Sequence, residues 1–333
     1  MADTYKFRID HHGSLVRPPE LLEARRRDDP GLRAVEDEAI AAVVRDQRKL
    51  SLSVVTDGQF RRASSAGVVL EGVAGFSQVG DRWIADGWLK PVRSLVAEDT
   101  AAVDGLTQQL PAKATLPSPA LLAAATFDPG GPYDSVRSLG EALAAIIRDE
   151  IAQLIAKGVR YVQLDGHAYA AALGGESIPG ISLDDAIAVD SLAIGLKDKP
   201  EDVRIGICPA LVAPGAVDNA GAERLFNEVP ADRWILPYDK HTGAELALVR
   251  AVPASKDVCL GIVDPFTARL EDIDAVMSRM DLVFEVRDLE DVAVSPSAGF
   301  SDVAGGSSIG IEDQRRKLIH VETVARMCWG NEL

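Results

Sequence analysis

The stretch SLGEALAAIIRDEIAQLIAKGVRYVQLDGH, residues 138–167, runs from one periodicity into another. Its first part has the apolar spacing of an amphipathic helix, opening near Ser138 and closing with Gly158 in the C-cap position. Tyr161, Val162 and Leu164 then read as a buried β-strand, which ends in Asp165-Gly166-His167. A core strand that finishes by delivering a carboxylate and an imidazole to one place needs a fold in which strand tips converge.

The same alternation recurs along the chain. Strands are expected at 5–10, 53–57, 112–116, 160–165, 203–208, 233–238, 257–263 and 291–296. Helices are expected at 33–51, 138–157, 183–196, 219–229, 243–250, 269–279 and 312–328. Alternating strands and helices require parallel pairing through right-handed crossovers, and eight such units close a (β/α)8 TIM barrel. An open doubly wound sheet is the alternative, but it carries a Gly-rich phosphate loop after its first strand, where this chain has HHGSLVRPP. The α/β reading is therefore a single-domain barrel over residues 1–333. Residues 66–111 break the rhythm, with turn signals at Gly80-Asp81 and Asp86-Gly87, and read as a β-hairpin or lid excursion after the second strand, or an oligomer contact. The Gly-rich segment 297–310 reads as a loop that could cradle an anion.

Composition narrows the function. The formal net charge of −16 disfavours nucleic acid and anionic membranes, because phosphate would be repelled. Cys208, Cys259 and Cys328 are odd in number and widely spaced, which fits a reducing compartment rather than a disulfide framework. The polar N-terminus has no apolar signal core, and no long uncharged apolar run occurs, so a cytoplasmic location is expected, with a homodimer as the candidate assembly.

In a (β/α)8 barrel the chemistry sits at the carboxyl ends of the strands. His11, His12, His167 and His241 fall at such ends; only His320, on the last helix, does not. Strand side chains repeat with period two, so Asp165 and His167, Asp57 and Gln59, and Asp239 and His241 each form a pair aimed one way. A carboxylate beside an imidazole can orient the ring and tune it for proton transfer. The candidate catalytic set is Asp165, His167, Asp57, His12, Asp239, His241 and Cys208, the last as a nucleophile if its thiol were easily ionised. The candidate substrate-binding set is Gly13, Ser14, Arg17, Gln59, Arg61, Arg62, Gln163, Tyr238 and Asp264.

In order and spacing, HHGSLVRP, VVTDGQFRR, ATLPSPALL, GVRYVQLDGHAYAAAL, ILPYDKHTGAELALVRAVP, VCLGIVD, SPSAGF and QRRKLIHVETVARMCWG resemble the catalytic barrel of cobalamin-independent methionine synthase. The resemblance extends to its stand-alone relatives, among them the epoxyalkane:coenzyme M transferases, and covers nearly the whole length. It implies a (β/α)8 barrel in which an amino-acid substrate is held by the Gly-Ser after the first strand, here Gly13-Ser14, and by an Asp matching Asp165. It also implies an acid where this chain has Gln59. The family's zinc ligands fall at Gly206, Cys208, Pro237 and Ala298, and its second mechanistic histidine at Phe266. Three of those four ligand positions lack a donor, and a lone Cys208 cannot hold zinc, so zinc in the family mode is not expected.

Three functions remain open. The first is zinc-independent transfer of a methyl or alkyl group on a small polar substrate, with a folate-type donor one option. The second is a lyase or decarboxylase acting on a small carboxylated substrate, as in the wider superfamily of uroporphyrinogen decarboxylase. There Arg17, Arg61 and Arg62 would grip carboxylate while Asp57, Asp165 and His167 move protons; in one variant a divalent metal is held by His and Asp. The third is a non-catalytic ligand-binding barrel.

Overall fold

The computed structural model describes residues 7–107 and 110–330; the expected first strand begins at Tyr5 and Lys6, which lie outside that range. An antiparallel hairpin, β1 (Val73–Val79) and β2 (Arg82–Pro91), stands apart from a parallel six-stranded sheet. The sheet runs in chain order through β3 (Lys113–Pro117), β4 (Tyr161–Asp165), β5 (Arg204–Cys208), β6 (Arg233–Pro237), β7 (Asp257–Val263) and β8 (Val292–Pro296).

Two further segments close the ring. Ile9 bridges Val294 of β8, Val55 bridges Ala112 beside β3, and the Ser53 backbone N–H donates to the Ile9 carbonyl at 2.9 Å. Eight staves therefore circle the axis, as the alternation required. The first two carry single bridges rather than ladders because side chains replace backbone partners. Ile9 N–H donates to Ser53 Oγ, while the Gln47 amide takes both Thr56 N–H (2.9 Å) and Thr56 C=O (2.8 Å).

Helices cover the outside of the ring. The 138–157 expectation appears as α6 (Val136–Ala156), started by a capping box between Ser135 and Ser138 and followed by Gly158 at φ +95°. The other expected helices appear as α2 (Leu32–Lys49), α8 (Leu183–Ile194), α9 (Asn219–Glu228), α10 (Gly243–Ala251), α11 (Ile273–Phe284) and α12 (Ile311–Trp329). Short helices α1 (Pro19–Arg26), α3 (Gly67–Gly72), α5 (Pro119–Thr126) and α7 (Tyr169–Leu173) carry too few turns to announce themselves by period.

Within 66–111, the hairpin occupies 73–91, with its turn at Gly80-Asp81, and β2 packs on α5 and α6. The segment Ala97–Thr107, α4, packs between α2 and α6, in the place of the second stave's covering helix. Buried Glu150 of α6 caps its start, with Oε1 accepting from Val96 N–H (2.6 Å) and Ala97 N–H (2.7 Å).

The barrel interior below the mouth is polar at one level. Lys113 Nζ reaches Asp10 Oδ1 at 2.7 Å and Tyr161 OH donates to Asp10 Oδ2 at 2.6 Å, with Phe7 stacked on the Tyr161 ring. Burial pushes the Asp10 carboxyl up, but Lys113 and Arg233 more than offset it and hold it below its usual range. Such a pair tolerates burial because its hydrogen-bonding capacity is filled. No helix among the described residues is long and apolar enough to cross a membrane.

Candidate active site

The strand tips at the C-terminal rim bring part of the expected set together. Stave one ends in His12, Gly13 and Ser14. Gly13 sits at φ +108°, and a Cβ there would lie 2.7 Å from Thr115 Cγ2, so only glycine fits against β3. Stave two ends in Asp57, whose Oδ1 accepts Gln59 N–H at 2.8 Å. This turn puts Gln59 at φ +58° and aims its Nε2 at Thr115 Oγ1 (2.9 Å). From β4, Gln163 Nε2 donates to Asp165 Oδ1 (2.7 Å) and to the His12 carbonyl (3.2 Å). Asp165 and His167, partly exposed at the rim, lie within electrostatic reach of one another, and His167 within reach of His12.

Four buried polar atoms here have no hydrogen-bond partner: His12 Nε2, Gln59 Oε1, Gln163 Oε1 and His167 Nε2. They come from three different staves, and unfilled buried polar atoms are costly unless a ligand or solvent completes them. Burial, with Lys113 and His167 adding to it, drives the His12 imidazole down to about 3, so it stays neutral; burial likewise lowers His11 to about 4. Burial raises the Asp165 carboxyl, with His167 and Gln163 opposing.

Several expected residues go elsewhere. Arg17 is spent on backbone, its Nη1 donating to the Ser301 carbonyl (2.7 Å) and its Nη2 to the carbonyls of Gln59 (2.9 Å) and Arg62 (3.0 Å). Arg61 pairs with Asp37 (2.5 Å) and Asp99 (3.1 Å), tying α2 to α4. Arg62 holds the Thr115 carbonyl at 2.9 Å. Asp57 lines a narrow cleft with Arg61, Arg62, Arg93 and Asp99. Arg17 and Arg62 fold onto neighbouring carbonyl oxygens, whereas Arg61 pairs with carboxylates of α2 and α4 and keeps a buried Nη1 without a hydrogen-bond partner.

Tyr238 turns toward the helices, where its OH donates to the Arg279 carbonyl (3.1 Å) and its ring faces that guanidinium. Lys240 Nζ bridges Asp239 and Asp264, 2.7 Å to each, so these two acids share one counter-charge at the rim. His241 lies exposed at φ +58°, which breaks the extended period that would have aimed it with Asp239.

Cys208 is fully buried among Ile235, Cys259 and Ala293, and its thiol donates to the Ala210 carbonyl at 3.5 Å. Burial, then Asp165, pushes the thiol well above its usual range, which removes it as a ready nucleophile. A Cβ on Gly206 would lie 3.3 Å from the Tyr161 ring and 3.4 Å from Ile235 Cδ1, leaving no room for an imidazole beside Cys208. Pro237 and Ala298 are buried and offer no donor. These residues do not fit the family's zinc. Among the described residues no group of three or more His, Cys, Asp or Glu is placed to hold a metal ion, so the His/Asp metal variant finds no ligand set. Phe266, after β7, is exposed.

Sequence reasoning missed three residues. Lys113 opens β3, and a charged residue in an otherwise apolar run was the available signal. Thr115 receives both Gln59 and Arg62. Asp302, inside the Gly-rich segment, accepts Ser14 Oγ–H at 2.6 Å, so that loop presents an acid here rather than an anion cradle.

Residues 25–309 match the family profile described as the catalytic domain of cobalamin-independent synthase. The chain is 28% identical to the uncharacterized protein YxjH of Bacillus subtilis, over 97% of this chain and 95% of that protein. It is 24% identical to a methionine synthase of Saccharolobus solfataricus, over 86% of each. Among solved structures, a Listeria monocytogenes protein assigned to the vitamin-B12-independent methionine synthases superposes with a TM-score of 0.80 at 26% identity, covering 98% of both chains. The chain therefore belongs to the cobalamin-independent synthase catalytic-domain family, an enzyme family of the methionine-synthase type.

Proposed function

We propose that this chain transfers a methyl or alkyl group on a small polar substrate in the barrel mouth, without the family's thiol-activating zinc. The observation that carries the reading is the set of four unpartnered buried polar atoms, from His12, Gln59, Gln163 and His167, facing one rim. Unfilled buried polar atoms occur elsewhere in the chain too, at Ser191, Trp234 and His320, so what points to a ligand here is that three staves bring four of them to one end of the barrel. Membership of a methyltransferase-type family supports the reaction class, and the commitment of Arg17 and Arg61 to internal partners speaks against the carboxylate-gripping lyase alternative.

In this mechanism the bond between the donor and its methyl carbon breaks as a bond from the acceptor to that carbon forms. The acceptor's proton passes to His167, the half-exposed imidazole, whose cation the charge of Asp165 stabilises. His12, held neutral, serves as a hydrogen-bonding group rather than a base. Gln163 fixes Asp165, and Ser14 and Gln59 position the substrate. L-Methionine, the product named for the family, is the natural probe.

The test pairs metal analysis with a transfer assay on the purified full chain, using methylated folate and L-homocysteine, then other thiols. Transfer with substoichiometric zinc, unaffected by chelator, is expected. Stoichiometric zinc whose removal abolishes transfer would refute zinc independence, and absence of transfer with every acceptor would refute the reaction class.

A further inference from the structure

We propose that Asp190 is a positioning residue for proton transfer: through Ser118 and Tyr169 it fixes the turn that carries Asp165 and His167. The inference rests on that pair serving proton transfer, and adds what holds the pair in place.

Asp190 lies on α8 with its side chain fully buried, and its carboxylate accepts from three donors. Ser118 Oγ–H lies 2.9 Å from Oδ1 and 2.7 Å from Oδ2, and Ala120 N–H donates to Oδ1 at 3.0 Å. Tyr169 OH donates to Oδ2 at 2.7 Å. Ser118 follows β3 as the N-cap of α5, and Tyr169 opens α7 after β4. One buried acid therefore ties together the exits of two neighbouring strands.

Both partners go on to grip the same turn. Ser118 N–H donates to the Asp165 carbonyl at 3.0 Å, and Tyr169 N–H donates to the Gly166 carbonyl at 3.0 Å. Gly166 N–H is taken by the Cys208 carbonyl at 2.9 Å. A Cβ on Gly166 would fall 3.0 Å from Tyr169 Cδ2 and 3.2 Å from Cε2, so glycine lets the turn press against that ring. Every backbone polar group from the Asp165 carbonyl to the Gly166 carbonyl is thus engaged, and the side chains on either side take their direction from it.

Asp190 does this at a cost. A buried carboxylate calls for a cation, and none among the described residues pairs with it. Burial raises it to about 6 in spite of its hydrogen bonds, and an acid raised on folding weakens the fold at neutral pH. Its contribution is geometric: two hydroxyls and a backbone N–H are fixed at once beside the turn.

The experiment compares the full-length wild type with Asp190→Ala, Asp190→Asn and Tyr169→Phe. One readout is steady-state transfer from methylated folate to L-homocysteine; the other is hydrogen–deuterium exchange at the Gly166 and Tyr169 N–H groups. Asp190→Ala is expected to lower kcat about tenfold or more with KM within about twofold, because misaligned groups raise the barrier without touching substrate binding. The two N–H groups should exchange about tenfold faster, while that of Tyr238, bonded to the Gly261 carbonyl, keeps its rate. Asp190→Asn should restore most of kcat, since its amide oxygen accepts from Ala120 and its NH2 donates to Tyr169. Glu150→Ala, which loosens α4, controls for lost stability and should leave kcat unaltered. Should Asp190→Ala fail to fold, Tyr169→Phe decides, because it keeps the ring on Gly166 and removes one hydrogen bond, for an expected loss of about threefold in kcat. Unchanged kcat in the variant that decides, an equal loss in Glu150→Ala, or unchanged exchange at Gly166 and Tyr169 overturns the proposal. If the wild type itself transfers nothing, the reaction reading falls, and the exchange rates alone then support or overturn the hold of Asp190 on the turn.

Discussion

Acidification tests the site and the fold together. His12 and His11 are buried and held neutral, at about 3 and about 4 against an ordinary 6.5. A histidine lowered on folding contributes stability that is complete above 6.5 and drains away as pH falls toward the folded value. At about 1.4 kcal/mol per pH unit, the stretch from 6.5 to 4 removes on the order of 3 kcal/mol for each ring. The two together reach a large part of the 5–15 kcal/mol that holds a typical domain folded.

One buried acid runs the other way. Asp190 is fully buried between Ser118 and Tyr169, and burial raises it to about 6 despite their hydrogen bonds. An acid raised on folding adds stability as pH falls from about 6 to 3.8, on the order of 3 kcal/mol, so it masks about one histidine. Wild type alone cannot separate them, but two variants can. Urea titrations from pH 7 to 4 should show His12→Gln losing on the order of 3 kcal/mol less than wild type, and Asp190→Asn losing more. If the wild-type and His12→Gln curves run parallel over that range, burial does not hold His12 neutral, and its assignment as an uncharged hydrogen-bonding group fails.

Asp165→Asn and His167→Ala should each lower turnover by about a hundredfold or more with the circular dichroism spectrum unchanged; full activity in either removes that residue from proton transfer. Arg61→Ala should cost about 1 kcal/mol in denaturant titration and leave KM unaltered, because its guanidinium serves Asp37 and Asp99. Glu150→Ala should cost about 2–4 kcal/mol by the same assay, since it strands the Val96 and Ala97 N–H groups at the start of α4.

Barrel closure was legible because strand and helix periods are local, and each stave announces itself. The sequence could not show that Gln47 would satisfy both backbone groups of Thr56, since that contact depends on how α2 lies against stave two. Element ends moved for similar reasons. The eleventh helix starts at Ile273 rather than 269 because Asp272 caps it, accepting from Ala275 N–H. At the site, period two gave Asp165 correctly as a rim acid, but it failed at His241, where φ turns positive and the extended register ends. Asp302 was hidden because a loop has no period at all; only its closure on Ser14 reveals it.

The sign of the mouth's charge was the hardest thing to read in one dimension, and it decides the chemistry. Counting residues near strand tips puts three arginines beside the acids and suggests a site for anions. Three-dimensional accounting changes that reading, because the donors of Arg17 are spent on neutral carbonyls although its charge remains. A guanidinium with five donors finds free carbonyls at the ends of staves, and Arg17 takes three of them. A carboxylate has no donor and finds few N–H groups there, so Asp165 remains half-exposed with Gln163 at one oxygen, while Asp302 is met by Ser14. With His12 uncharged and Lys113 paired to Asp10, His167 is the main charge facing Asp165 at the rim. The positions where the family's zinc ligands would fall add nothing there, because Gly206, Pro237 and Ala298 carry no donor side chain. Proton transfer without that zinc would fall to Asp165 and His167, and the two substitutions at those residues test it directly.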